Sequence, residues 1–483
     1  QALVPAATKK EILRVLHPNS TAVLTDQTGT TWVELHRPAV AGTGDWTHMY
    51  ANPANTSCSL DERVTDQLQL QWFGPPGPRD MVDRHHRTVP PLVCDGRLFI
   101  PGDNRVIGVD AYNGSLLWNV EVADSRRIGA LRDAGSMVAT EDYLYVLARD
   151  RCYGLNTQTG ASERNFSAPL SADGQLRYWG YVARVGDRLF GSTTRPGASR
   201  TEQSRQTIDE TYYDHIPIVT SDRLFARHRQ SGELLWDYTP TTGAILNPTI
   251  TMAKDRLFFV QSNIASTLNE KTGRSKLPAL LKETATLVAI DATSGQVAWK
   301  RNIDLSSIEH HLYLSYAANR LIAVGTRNQG SGKQGRVWYD VHCYSARDGM
   351  PQWQTTQNQQ QATGGSHGEQ DHHPVIVGKT VYVEPYAYDL ASGQQLQHWN
   401  LRRGGHGCGA MSASASTCFF RAGNPALCNL STGQIQKVTR VSRPGCWINM
   451  IPASGLLLIP EASSGCVCDF PIQTSLAFAP PDL

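Results

Sequence analysis

The chain of 483 residues carries 45 Lys and Arg against 43 Asp and Glu, with 40% hydrophobic residues, 41 glycines and 26 prolines. So even a charge balance argues against a nucleic-acid footprint or a polybasic membrane patch, and no apolar run approaches membrane-spanning length, Gly455–Ile459 reading as a strand. The Gly and Pro content suits a turn-rich, all-β protein, and a start at Gln1 with neither initiator Met nor signal peptide reads as a processed or partial polypeptide.

In chain order, Thr8–His17 (TKKEILRVLH) has the period of an amphipathic helix, with Ile12, Leu13 and Leu16 on one face. Ala22–Thr25, a Thr28-Gly29 turn and Thr31–Leu35 follow, then a strand at Leu68–Phe73 (LQLQWF). Asp95–Trp118 reads as strands Leu98–Ile100 and Val106–Asp110, an Asn113-Gly114 turn and a short strand closing on Trp118. Asn-Gly tolerates the positive φ of a primed turn, whose twist matches its flanking strands. Degenerate copies recur at Glu141–Val146 with Leu155–Gly160, Gly186–Phe190 with Leu224–Trp236, and Lys254–Val260 with Leu287–Trp299. Further copies lie at Ala318–Val324 with Cys343–Trp353, at Val377–Gly393 and at Thr417–Gly433. One such unit cannot bury its faces alone, whereas four-stranded units repeating at this period are the signature of a β-propeller.

In that architecture Trp118, Trp236, Trp299 and Trp353 would each fill the wedge against the next sheet. The first strand of a closed ring commonly completes the last sheet, which removes an open edge. Leu68–Phe73 is therefore expected to pair with Gly455–Pro460 and Thr474–Phe478, giving about eight four-stranded antiparallel blades. Insertions at Ser192–Ser221 and Asn263–Thr284, and the polar stretch Thr355–Gln370, are expected as surface loops.

The pattern D-G/D-R-L-F followed by D-x-x-T/S-G-x-x-x-W resembles the PQQ-like repeat of quinoprotein dehydrogenases and of the BamB outer-membrane assembly factor. Gly44–Ser57 (GDWTHMYANPANTS) is similar to the segment that leads into bacterial propellers of this type. The resemblance implies an all-β, eight-bladed propeller over residues 44–483, periplasmic or extracellular, on a fold that hosts both enzymes and scaffolds. Residues 1–43 stand apart as a short N-terminal helix and strand segment. There Glu11, Leu13, Arg14, Val15, Leu16 and Pro18 resemble the tail of a class I methyltransferase domain, with Asn19-Ser20 in place of the usual glycine. That implies the remnant of an upstream domain in a larger fusion or assembly. Quinoprotein alcohol dehydrogenases bring a vicinal Cys-Cys pair to the quinone, whereas here Val467 separates Cys466 from Cys468 and no C-x-x-C-H occurs. The sequence thus argues against PQQ and against c-type haem.

Ten cysteines point to an oxidising compartment, and Cys408, Cys418, Cys428, Cys446, Cys466 and Cys468 all fall in the last quarter of the chain. Cys418 and Cys428 flank a turn at Ala422–Pro425, placing a cross-strand disulfide within reach if the register permits.

Chemistry-bearing residues concentrate just before the innermost strands, and in a closed ring such loops converge near one end of the central channel. His85, His86, His367, His372, His373 and His406 are candidate ligands for zinc, copper, iron or manganese, with Glu369 and Asp371 as ligands or orienters. His310-His311 holds the equivalent place before the fifth repeat. Arg84, Arg87, Arg126, Arg127, Arg402, Arg403 and Arg443, with Tyr178, Trp179 and Trp447, form a candidate anion pocket for a carboxylate or sulfate group. The leading expectation is a binding or assembly module for a protein partner or an acidic glycan. The alternative is a metal-dependent enzyme, an oxidoreductase or one acting on acidic polysaccharides, with its site at that channel mouth.

Overall fold

The computed structural model describes residues 4–26, 28–29, 32–204, 216–253, 255–329, 336–362, 371–403, 407–461, 464–465 and 472–483, apart from the side chains of Arg84 and of residues 359–362. A helix over Ala6–Val15 and a hairpin pairing Thr21–Thr25 with Trp32–His36 come first. The helix starts and stops two residues earlier than its periodicity suggests; at its end Leu16 is already extended, and Pro18 disfavours helical geometry in His17.

Eight antiparallel sheets follow among the described residues. The first comprises Leu92–Cys94, Arg97–Gly102, Arg105–Asp110 and Leu116–Glu121, in that spatial order. The innermost strands of the next six are Met137–Ala139, Tyr178–Val185, Thr251–Met252, Leu312–Ala317, Val375–Val377 and Ser412–Ala413. The last sheet is composite: Ile451–Ala453, Leu456–Ile459 and Ser475–Ala479 are completed by Gln69–Gly74, the N-terminal strand expected to close the ring.

Tryptophans join sheet to sheet as the repeats suggest. The indole Nε1 of Trp118 donates to Thr157 O at 2.9 Å, that of Trp236 to Ala292 O at 3.1 Å, that of Trp299 to Ala346 O at 3.2 Å and that of Trp353 to Leu390 O at 3.1 Å. Each acceptor lies at the hairpin turn of the following sheet. The turn glycine there must be glycine: at Gly295, with φ +73°, a Cβ would sit 2.6 Å from the Trp236 ring. Trp72 extends the series around the closure, its Nε1 donating to Ala111 O at 2.7 Å while Gly114 packs on its ring. The last sheet thereby docks on the first.

Three expectations need correction. The sixth sheet has three strands, not four, because the segment after Tyr386–Asp389 makes only a Tyr388–Gln395 bridge and then folds Trp399 inward against Tyr382, ring centroids 4.8 Å apart. The Asn263–Thr284 insertion is not a surface loop: its helix Leu277–Leu281 buries Leu277, Leu280 and Leu281, and Arg274–Ser275 pairs with Ile218–Ser221. An L-P-A-L-L run is too apolar to leave in water. The described part of the polar stretch, Thr355–Ala362, is strand, Pro351–Ala362 pairing with Arg336–Ser345, since polar Gln and Thr side chains are tolerated on an outer strand. Residues 205–215 and 363–370 of these stretches lie outside the described residues.

The segment from Gly44 to Asp61 travels around the axis inside the ring and bonds to the innermost layer of every sheet in turn. Gly44 O accepts from Ser454 N in the last sheet, and Trp46 exchanges two backbone bonds with Val93 in the first. Thr47 O accepts from Ala139 N in the second, and His48 Nε2 from Arg184 N in the third. Pro53 O accepts from Met252 N, Ala54 O from Tyr316 N, Thr56 O from Ile376 N and Ser57 O from Ala413 N, in the fourth to seventh. Asp61 then returns to the last sheet, its Oδ2 accepting from Gly455 N at 2.8 Å. These partners fall in the middle or later part of their innermost strands or just beyond, none at the first residue. The segment therefore plugs the end of the axis opposite the loops that precede those strands.

Candidate axial binding site

The loops entering the innermost strands meet on the axis around Asp371, which precedes the sixth sheet. Arg87, from the loop before the first sheet, pairs with Asp371 Oδ2. Arg132, before the second, lies 3.3 Å from Oδ1, and His311 Nε2, before the fifth, lies 2.5 Å from it. All four side chains are buried. Arg132 also donates to His310 O at 2.8 Å, tying the second loop to the fifth. Burial opposes the charge on Asp371, but His311, Arg87 and Arg132 outweigh it and hold the carboxyl far below the usual carboxylate range. Burial and then Arg132 push His311 down to about 4, so at neutral pH it is an uncharged imidazole beside the carboxylate. Asp371 thus faces two guanidinium charges, leaving this layer with one positive charge in excess.

An aromatic layer separates these charges from the plug. Tyr50, carried by the plug, stacks on His373 with centroids 3.6 Å apart, and Tyr313 meets the edge of both rings. The Tyr313 hydroxyl donates to Asp371 O at 3.0 Å. His373 Nδ1 lies 2.7 Å from Pro374 O and 3.1 Å from Ser57 Oγ.

Beside this core sits a second ion pair. Arg403 Nη2 lies 2.6 Å from Glu384 Oε2, with His372 Nδ1 3.6 Å from the same oxygen. Arg403 Nη1 also donates to Gly407 O at 2.9 Å and Gly409 O at 2.7 Å, which fixes the loop before the seventh sheet. Trp447, before the eighth, lies under the Arg87 guanidinium at 5.9 Å. Arg443 is buried and Arg402 exposed.

Other residues singled out from sequence lie elsewhere. Arg126 points to the outer rim, donating to Asp103 Oδ1 at 2.6 Å and to Thr201 O. Arg127 is buried, donating to Trp179 O at 3.1 Å with Asp133 3.8 Å away. Trp179 is a core residue, its Nε1 donating to Phe166 O at 3.2 Å and its ring meeting Phe225 edge-on; Tyr178 opens the same strand. His85 pairs with Asp83 at 2.7 Å, and His86 is buried with its carbonyl accepting from Gly129 N. His367, Glu369 and His406, with the Arg84 side chain, lie outside the described residues. Among the described residues no group of three or more His, Cys, Asp or Glu side chains is placed to hold a metal ion. Arg132, Tyr50, Tyr313 and Glu384 belong to the site without having been marked by sequence, whereas the His310-His311 doublet was visible there.

A family model described as outer membrane protein assembly factor BamB matches residues 79–175 and 275–442, more than half of the chain. The chain belongs to the BamB family. Solved structures similar to this BamB-family chain include a europium-containing methanol dehydrogenase, 10% identical with a TM-score of 0.52, covering 86% of this chain and 88% of that one. The quinohemoprotein alcohol dehydrogenase ADHIIG from Pseudomonas putida HK5 is 11% identical with a TM-score of 0.52, covering 90% and 80%. BamB from Moraxella catarrhalis is 12% identical with a TM-score of 0.39, covering 80% and 92%. At these identities the likeness to the dehydrogenases is one of fold. No curated protein matches the sequence, and no helix among the described residues is long and apolar enough to cross a membrane.

Proposed function

We propose that this propeller is a binding and assembly module, working outside the cytoplasm, whose charged axial end receives an acidic segment of a protein partner. The observation that supports this reading most strongly is the polarity of the axis. One end is plugged by Gly44–Asp61, while the other gathers Arg87, Arg132 and Arg403 from three different loops around Asp371 and Glu384, with the exposed Arg402 preceding Arg403 in the chain. Arginine forks suit planar carboxylates, and a positive excess focused at one end steers an acidic segment towards it. The family description, an outer membrane protein assembly factor, agrees with a role in holding other chains.

The test is titration of the full chain with a poly-glutamate peptide, with polygalacturonate as the comparison. Saturable peptide binding that weakens about tenfold in Arg402→Ala and falls with added salt is the expected result. Binding of the polyuronate alone would replace the protein partner by an acidic glycan, and indifference of both ligands to the substitution would remove the axial end from the account.

A further inference from the structure

Cys408 and Cys446 lie in the loops before the seventh and eighth sheets, and the two loops touch. Gly409 packs so closely on Trp447 that a Cβ there would lie 2.5 Å from Trp447 O, and its φ of +92° is one that side-chain-bearing residues rarely adopt. That contact sets Cys408 directly against Cys446, and the thiols hydrogen-bond to each other. Both are buried. Arg421 Nη1 donates to Cys446 Sγ at 3.3 Å. A guanidinium on one sulfur of a thiol pair favours the thiolate at that sulfur.

We infer that Cys408 and Cys446 form a redox-active pair that closes into a disulfide joining the loops of the seventh and eighth sheets. The oxidant is a small-molecule disulfide such as oxidised glutathione. The Cys446 thiolate, held by Arg421, attacks one sulfur of the oxidant, whose S–S bond breaks and releases one glutathione thiol. The Cys408 thiolate then attacks Cys446 Sγ in the mixed disulfide, forming the internal S–S bond and releasing the second glutathione. The two protons lost by the pair end on the two released thiols, and the protein is oxidised by two electrons as the oxidant is reduced.

Cys418 and Cys428 give an internal reference. They stand directly opposite each other in the register of one hairpin, where the Cα spacing of an antiparallel pair suits a disulfide. Both are free thiols, and a bond between them would join two neighbouring strands of one sheet. The Cys408–Cys446 bond joins two sheets next to Arg403 and to the Trp447 that Arg87 covers.

The test uses the full native chain, reduced and then equilibrated with glutathione buffers of rising potential until the composition stops changing. Each sample is alkylated and mapped by non-reducing mass spectrometry. The expected result is a linked peptide containing Cys408 and Cys446, absent in Cys446→Ser, together with a rise in melting temperature on oxidation. The Cys418→Ser/Cys428→Ser variant should still form it. Alkylated Cys408 and Cys446 at every potential, or stable glutathione adducts at Cys446 without the linked peptide, would overturn the inference.

Discussion

Replacing Asp371 with alanine is expected to destabilise the folded chain by about 3–5 kcal/mol, because it leaves the Arg87 and Arg132 guanidinium groups together in the interior with their shared carboxylate gone. Urea unfolding followed by tryptophan fluorescence measures this as a lower midpoint at unchanged slope. Arg126→Ala provides the contrast. That arginine comes from an equally basic stretch but pairs with Asp103 at the rim, so its loss is expected to cost about 0–1 kcal/mol. A midpoint for Asp371→Ala within that smaller range would mean that the axial charges are solvated.

Acid is expected to weaken the fold between pH 7 and 5, above the range in which ordinary carboxylates titrate. Burial holds His48 down at about 3, with Arg184 adding to it; burial and Arg132 hold His311 at about 4; and burial, with His311, holds His373 at about 3. In the unfolded chain each returns to about 6.5. A depressed folded pKa contributes stability that is fully present above the unfolded value and is lost as pH falls through the folded one. Near pH 5, therefore, unfolding takes up about three protons at these histidines. Asp45 works in the opposite sense, burial raising it to about 6, so that it holds a proton in the folded state and gives one back on unfolding. At these four groups the net uptake is about two protons, which corresponds to roughly 3 kcal/mol lost per pH unit near pH 5. Urea midpoints at pH 7, 6 and 5 measure this. A flat profile would show that these imidazoles are already charged in the folded chain.

Local patterning carried much of the architecture. The Asn-Gly turn, the D-R-L-F strands and the repeated tryptophans each describe contacts within one sheet or between neighbours, and those appear where the repeats place them. The facing positions of Cys418 and Cys428 were legible for the same reason, since a hairpin fixes its own register, although both stand as free thiols. The plug was not legible. Gly44–Asp61 has no periodicity to read, because its hydrogen bonds go to eight different strands spread over the chain. The inward fold of Trp399 is likewise set by a tertiary contact with Tyr382. The Leu277–Leu281 helix, by contrast, is visible in the sequence as an apolar run inside a long insertion.

At the axis, residue type alone could not separate a site residue from its neighbour. Arg126 and Arg127 are adjacent, yet one lies at the rim and the other is buried against Trp179. Trp179 reads as a mouth aromatic from its position before the third sheet, but strand alternation turns its ring into the core between sheets. Arg132 sits in the unremarked stretch LRDAG and gave no signal, although it completes the arrangement around Asp371.

Energetic coupling between Arg87 and Asp371 reports ring closure itself, because these residues are far apart in sequence and meet only if the sheets circle back on themselves. The measurement is a double-mutant cycle from urea unfolding of the parent, Arg87→Met, Asp371→Leu and the combined variant. The combined variant is expected to be less destabilised than the two single losses added together, by about 2 kcal/mol or more. Single losses that add to within about 0.5 kcal/mol would contradict it.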